Sequence, residues 1–114
     1  PLYYWNDIDT HGIAMLNRLR NHLSHTESLI MDATTLLQHQ DMWGQEPADK
    51  RCTSALPLLS DKEQKLYQAL RDNTFCPPNK ETVTNLRFEQ EHVRFGWLQQ
   101  QLSKLEPTIT GSVV

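Results

Sequence analysis

A surplus of basic side chains is missing from this chain. Eleven Lys and Arg face fourteen Asp and Glu, for a formal net charge of −3. That balance excludes a protein that coats DNA generally, because phosphate binding needs clustered Lys and Arg. It leaves room for a protein whose metal ions bring the positive charge to a phosphate. Cysteine is scarce as well. Cys52 and Cys76 are the only two, too few for a disulfide framework, and no C-x-x-C occurs. They are read as reduced thiols of a cytoplasmic protein. No stretch approaches the roughly 20 apolar residues of a membrane span. The opening "PLYYWNDID" has neither the basic segment nor the apolar run of a signal peptide. There is no internal repeat and no low-complexity segment. The chain begins at Pro1 rather than Met, so it is expected to be a fragment of a longer protein.

What is present suits one α/β domain over residues 1–114, long enough to bury about two thirds of its unfolded surface. "LYYW", residues 2–5, reads as a short buried strand. The spacing of Ile13, Leu16, Leu19 and Leu23 predicts a helix that ends near "NHLSH", with Thr10 as its N-cap. "ESLIMD", residues 27–32, is a second strand, and "ATTLLQHQDMW" a second helix capped by Asp32. Strand, helix, strand, helix implies two parallel strands and a crossover. Residues 44–59, with Pro47 and Pro57 and no periodicity, are expected to be a surface loop. Ser60 followed by Glu63 is a capping box for a helix over 60–73. "ETVTNLRFEQEHVRFGWLQQQLSKL" is expected to be the longest helix, its stripe including Leu86, Val93, Trp97, Leu98, Leu102 and Leu105. The three tryptophans are read as core. Residues 106–114 are expected to be a flexible tail or an added edge strand. The expected fold is therefore a small parallel sheet with flanking helices and a helical carboxyl-terminal half.

The chemistry concentrates in "YYWNDIDTHGIAML". Asp7 and Asp9 are one residue apart, so along a strand both side chains would point to one face, about 7 Å apart. They lie at the carboxyl end of a predicted parallel strand, where open α/β sheets place their sites. Two close carboxylates repel each other unless something positive joins them. Mg²⁺ is the economical partner, since it takes oxygen ligands and uses one or two carboxylates. Gly12 would let backbone approach a ligand closely, and the helix start beyond it offers N–H groups to a phosphate. The bland alternative is that both aspartates are turn and cap residues. A phosphatase D-x-D-x-T is disfavoured because Thr10 follows Asp9 directly.

"DIDTHGIAML" resembles the D-x-D-x-x-G element of Toprim domains, especially the branch of the archaeal type II topoisomerase A subunit and the meiotic double-strand-break protein. The longer run "WNDIDTHGIAMLNRLRNHLSHTESLIMDATTLLQHQDMW" is similar to the carboxyl-terminal domain of the Wadjet nuclease subunit JetD. The similarity continues through "PLLSDKEQKLYQALRDN" and "NLRFEQEHV", to about residue 95. The resemblance implies a partial Toprim-like fold and a DNA endonuclease in which Asp7 and Asp9 hold the catalytic Mg²⁺, or Mn²⁺ in its place. It implies double-stranded DNA and an SMC-type complex as partners, in defence against plasmids. A second copy of the chain is also expected, because the exposed edge of a short sheet invites pairing. In Toprim enzymes a glutamate on an earlier strand joins the aspartates. Nothing here matches it, so it is expected upstream of Pro1, and the isolated chain is expected to be inactive. Topoisomerase relatives use a tyrosine on another domain, and Tyr3 and Tyr4 are read as strand packing.

Other residues enter behind the pair. His11 could contact a scissile phosphate or make a local turn hydrogen bond. Asp32 could be a further metal ligand or only a helix cap. On the resemblance, Glu89 or Glu91 supports the site and Arg87 touches DNA backbone; otherwise they form a solvated helix face. His22 and His25 lack the further ligands that a zinc site needs. Two other functions compete: a docking or dimerisation module whose aspartates merely cap a helix, and topoisomerase-like strand breakage.

Overall fold

The fold starts from a turn that an aspartate stabilises. In the computed structural model, which describes residues 2–78 and 81–105, strand β1 (Tyr3–Tyr4) runs into a loop and then into helix α1 (Thr10–Arg20). The N-cap is Asp9 rather than Thr10, with its side chain accepting the Gly12 N–H. Thr10 is instead the first helical residue and is fully buried. Strand β2 (Glu27–Ser28) pairs with β1 in parallel, Tyr3 opposite Glu27 and Tyr4 opposite Ser28. The parallel pair is as expected, but β2 is shorter than residues 27–32. Ile30 adopts φ 65°, a left-handed conformation that β-branched residues seldom take, and it ends the strand. Burial of the Ile30 side chain helps hold it there.

Helix α2 (Ala33–Gln38) is capped by Asp32, as its sequence predicted, but stops at His39. A single 3-10 turn, Gln40–Met42, follows. Strand β3 (Gly44–Gln45) and a second 3-10 turn, Ala48–Lys50, lie within the expected loop. Much of residues 44–59 is exposed, yet Glu46, Leu56 and Leu59 are buried. Helix α3 (Asp61–Arg71) carries the predicted capping box, with the Ser60 and Glu63 side chains each bonding the other's backbone N–H.

The largest departure comes next. Residues 81–105 do not form one long helix. Strand β4 (Leu86–Arg87) pairs antiparallel with β3, Phe88 bridges to Ile8, and a 3-10 turn spans Gln90–His92. Helix α4 is confined to Phe95–Ser103. The Glu, Gln and Arg content favours helix, but Leu86 and Phe88 also alternate with period two. Pairing with two other segments decides the matter, as it often does for strands. Leu86 and Phe88 are both buried, alongside Ile8, Leu16, Tyr67 and Leu70. Arg87, Glu89, Glu91, His92 and Arg94 therefore share no helix face. The tryptophans divide too. Trp43 and Trp97 are half-buried, donating to Leu36 O and Thr35 Oγ1, whereas Trp5 is exposed. The expected tail, residues 106–114, lies outside the described residues.

Helices α1 and α3 are joined at one end by an ion pair. Arg20, in the last turn of α1, grips the Glu63 carboxylate with both terminal nitrogens, Nη2 to Oε2 at 3.1 Å, and donates from Nε to Thr26 O. Ser28 Oγ and the Ser60 N–H also donate to Glu63. Burial alone would raise the Glu63 pKa. The bonds from Arg20, Ser28 and Ser60 outweigh it and bring the value down to about 2.

Two outcomes are expected. Replacing Arg20 with Met leaves a buried carboxylate without its cation, and urea unfolding should show a loss of about 3 kcal/mol. Because the folded pKa of Glu63 lies below its unfolded value, the unfolded state binds the extra proton. The Glu63 contribution should be complete above about pH 4.5 and fade as pH falls towards 2. Thermal melts of wild type and Glu63→Gln across that range should converge as the medium becomes more acid.

Candidate metal centre at the start of helix α1

The loop between β1 and α1 is tied from several directions. Tyr4 donates its hydroxyl to Gly12 O at 3.1 Å, and Asn6 Nδ2 donates to the Tyr4 oxygen at 2.7 Å. The Asn6 Oδ1 accepts the Asp7 N–H at 2.8 Å. Asp7 is half-buried, and its Oδ1 accepts the Gln90 N–H at 2.9 Å, across 83 residues of sequence. Asp9 is buried, and its Oδ1 accepts the Gly12 N–H at 2.6 Å. The second oxygen of each aspartate takes no hydrogen bond from the described residues, so each carboxylate retains one donor oxygen.

The glycine has a steric reason. A Cβ on Gly12 would lie 2.1 Å from the Asp7 carbonyl oxygen and 3.2 Å from Asp9 Oδ1. The first turn of α1 therefore packs directly onto the backbone of the aspartate loop, and only a residue without a side chain permits it.

A third carboxylate, not anticipated from the sequence, completes the arrangement. Glu46 is 3% exposed. Its Oε1 accepts from the Thr10 hydroxyl at 2.8 Å and the Thr10 N–H at 3.4 Å, and its Oε2 accepts from the His11 N–H at 3.0 Å. Arg51 Nη1 lies 3.5 Å from Oε1, while Arg51 Nη2 donates to Leu70 O and Arg71 O at the end of α3. Glu46 is placed by its neighbours, since β3 pairs with β4 and the Glu46 N–H donates to Asn85 O. Nothing local could have revealed it: "GQEPADK" has no helical or strand period, and the contact is with a helix 36 residues earlier.

The electrostatics follow. Burial raises the Asp9 pKa to about 6, with Glu46 and Asp7 adding repulsion, against the Gly12 hydrogen bond and the His11 charge. Three carboxylates around one helix start, with Arg51 beside only one of them, form a region of partly compensated negative charge, which favours a cation. No group of three or more His, Cys, Asp or Glu side chains able to hold an ion is formed among the described residues. Asp7 and Asp9 offer two uncommitted carboxylate oxygens, one each, on the same loop. That fits Mg²⁺, which is often held by one or two carboxylates and fills its other positions with water and phosphate.

The remaining candidates are dispersed. Asp32 is exposed, caps α2 through the Thr35 N–H at 2.8 Å, and lines a cavity of about 640 Å³ with Ser28, Lys62, Lys65 and Phe75. Neither Asp7 nor Asp9 lines that cavity. The His11 side chain is exposed, while its backbone serves Glu46. Arg87 pairs with Glu89 at 2.8 Å, and Glu89 also faces His92 at 3.2 Å. Glu91 is exposed in the 3-10 turn next to Gln90.

A family model described as "Wadjet protein JetD, C-terminal" matches residues 1–102. The chain belongs to this family. As a JetD C-terminal domain it has a place in the Wadjet system. A comparison with curated proteins finds no match. Within this JetD domain no helix of the described residues is long and apolar enough to cross a membrane.

Two tests address the loop. Gly12→Ala should lower stability by about 3 kcal/mol, at the upper end for overpacking, since backbone rather than a mobile side chain must yield. Amide shifts at residues 7–12 would report the displacement. Asn serves as well as Asp at an N-cap, so Asp9→Asn should keep the helix and remove the charge. The folded pKa of Asp9 is above its unfolded value, so the folded state holds the extra proton between about pH 4 and 6. Its contribution is complete below that window and is lost as pH rises through it. In metal-free buffer the variant should gain melting temperature relative to wild type over that rise and keep the gain above pH 6.

Proposed function

We propose that this JetD domain contributes to metal-dependent cleavage of DNA phosphodiesters, with Asp7 and Asp9 as the ligands of Mg²⁺. The observation that supports it is the pair itself: two tethered carboxylates, each with one oxygen uncommitted, beside a third buried negative charge. A divalent ion, when bound, would polarise a phosphate and lower the pKa of an attacking water. The chain's own residues fix each carboxylate by its other oxygen, bury Asp9, and anchor the first turn of α1 to Glu46.

The Toprim resemblance expects a further glutamate for acid–base chemistry. Glu46 does not take that role in this reading, because both its oxygens are held by Thr10, His11 and Arg51. Double-stranded DNA, an SMC-type complex within a multi-subunit defence system, and a second copy of the chain are the partners proposed. Strand transfer through Tyr4 is disfavoured. Burial raises its pKa, and its oxygen already donates to Gly12 O and accepts from Asn6.

Charge removal separates the readings. In a JetD protein carrying this domain, Asp7→Asn or Asp9→Asn should abolish plasmid cleavage while circular dichroism shows the fold retained. Survival of cleavage would favour a docking role. A protein–DNA adduct on a denaturing gel would favour strand transfer instead.

A further inference from the structure

We infer that Glu46 is a positioning residue for the aspartate pair: its buried carboxylate fixes the first turn of α1 and keeps a third negative charge beside Asp9, which strengthens divalent-cation binding. This inference rests on the metal reading proposed above. Three observations support it. The first is that Glu46 reaches the pair's helix from a distant segment and bonds the two residues that follow Asp9, Thr10 and His11. The hydroxyl of Thr10 also accepts the Cys52 N–H at 2.9 Å, so this turn is fixed from two sides.

The second concerns charge. A buried carboxylate is ordinarily matched by a close cation. Arg51 stands 3.5 Å away and shares its guanidinium with two carbonyls of α3. Neutralisation is therefore partial, and net negative charge remains at the helix start. The third is that the carboxylate offers an acceptor oxygen to each of Thr10 and His11, which a neutral Gln, with one oxygen, could not, and that its charge is nonetheless set against that of Asp9. Local arrangements that oppose stability in this way are characteristic of functional sites.

The test is a Mn²⁺ titration followed by amide line broadening, on wild type, Glu46→Gln and Arg51→Met, with a thermal melt of each. In wild type, broadening should centre on residues 7–12. Glu46→Gln keeps an acceptor for Thr10 but not for His11 and removes the charge, and should bind Mn²⁺ roughly tenfold more weakly. Arg51→Met removes the opposing positive charge and should bind Mn²⁺ as tightly as wild type or more so. A merely structural Glu46 would weaken binding in both variants alike, which overturns the inference. Unchanged affinity in Glu46→Gln overturns it too. Should Glu46→Gln fail to fold, Arg51→Met decides alone, and weaker binding counts against the role. Absence of localised broadening in wild type is a different result: it removes the metal reading itself, and the inference with it.

Discussion

A single carboxylate, that of Glu46, stands between the amino end of α1 and the guanidinium of Arg51, which in turn meets the carboxyl end of α3. The sequence of charges is alternating: a helix start with partial positive charge, an acid, a base, and a helix end with partial negative charge. At the opposite end of the two helices Arg20 in the last turn of α1 meets Glu63 in the first turn of α3. The helices are thus antiparallel and closed at both ends by complementary charges. Between these closures pack Leu16, Leu66, Tyr67 and Leu70. The hydrophobic core supplies attraction without direction, while the two ionic closures set how far α1 can slide along α3.

That constraint also shapes the aspartate loop. Three stretches meet there: residues 4–12, which carry the acids; residues 44–51, which carry Glu46 and Arg51; and residues 85–90, which hold both of the others. Asn85 O receives the Glu46 N–H, Phe88 bridges Ile8 between the two aspartates, and Gln90 donates to Asp7. Residues 85–90 contribute only backbone donors and acceptors to these three contacts. The stretch is a template on which the charged loop is set.

Much of this was legible in the amino-acid order where the cause was local. The D-x-D-x-x-G spacing, the Asp32 cap and the Ser60–Glu63 box each depend on residues within five positions, and each is present. The parallel strands were legible because a helix must carry the chain between them. What was not legible depends on partners far away. Residues 86–94 have helix-forming composition but become strand and turn, because Ile8 and Gly44–Gln45 offer them pairing. Ile30 shortens β2 through a left-handed backbone that no propensity would assign to it. Glu46 sits in an irregular segment without period, and only the folded chain brings it to Thr10. Asp32, grouped with the pair by its place after a strand, belongs instead to the wall of a separate cavity.

The hydrogen bond from Gln90 to Asp7 has a bearing on the order of assembly. Contacts between residues so distant in the chain close late, because the entropy of the intervening loop must be overcome first. As the polypeptide leaves the ribosome, Asp7, Asp9 and Gly12 emerge before the segment that fixes Asp7, which follows 83 residues behind. The charged loop therefore takes its folded shape only when nearly the whole domain has been synthesised, and a nascent chain carries the two acids without the backbone that sets Asp7.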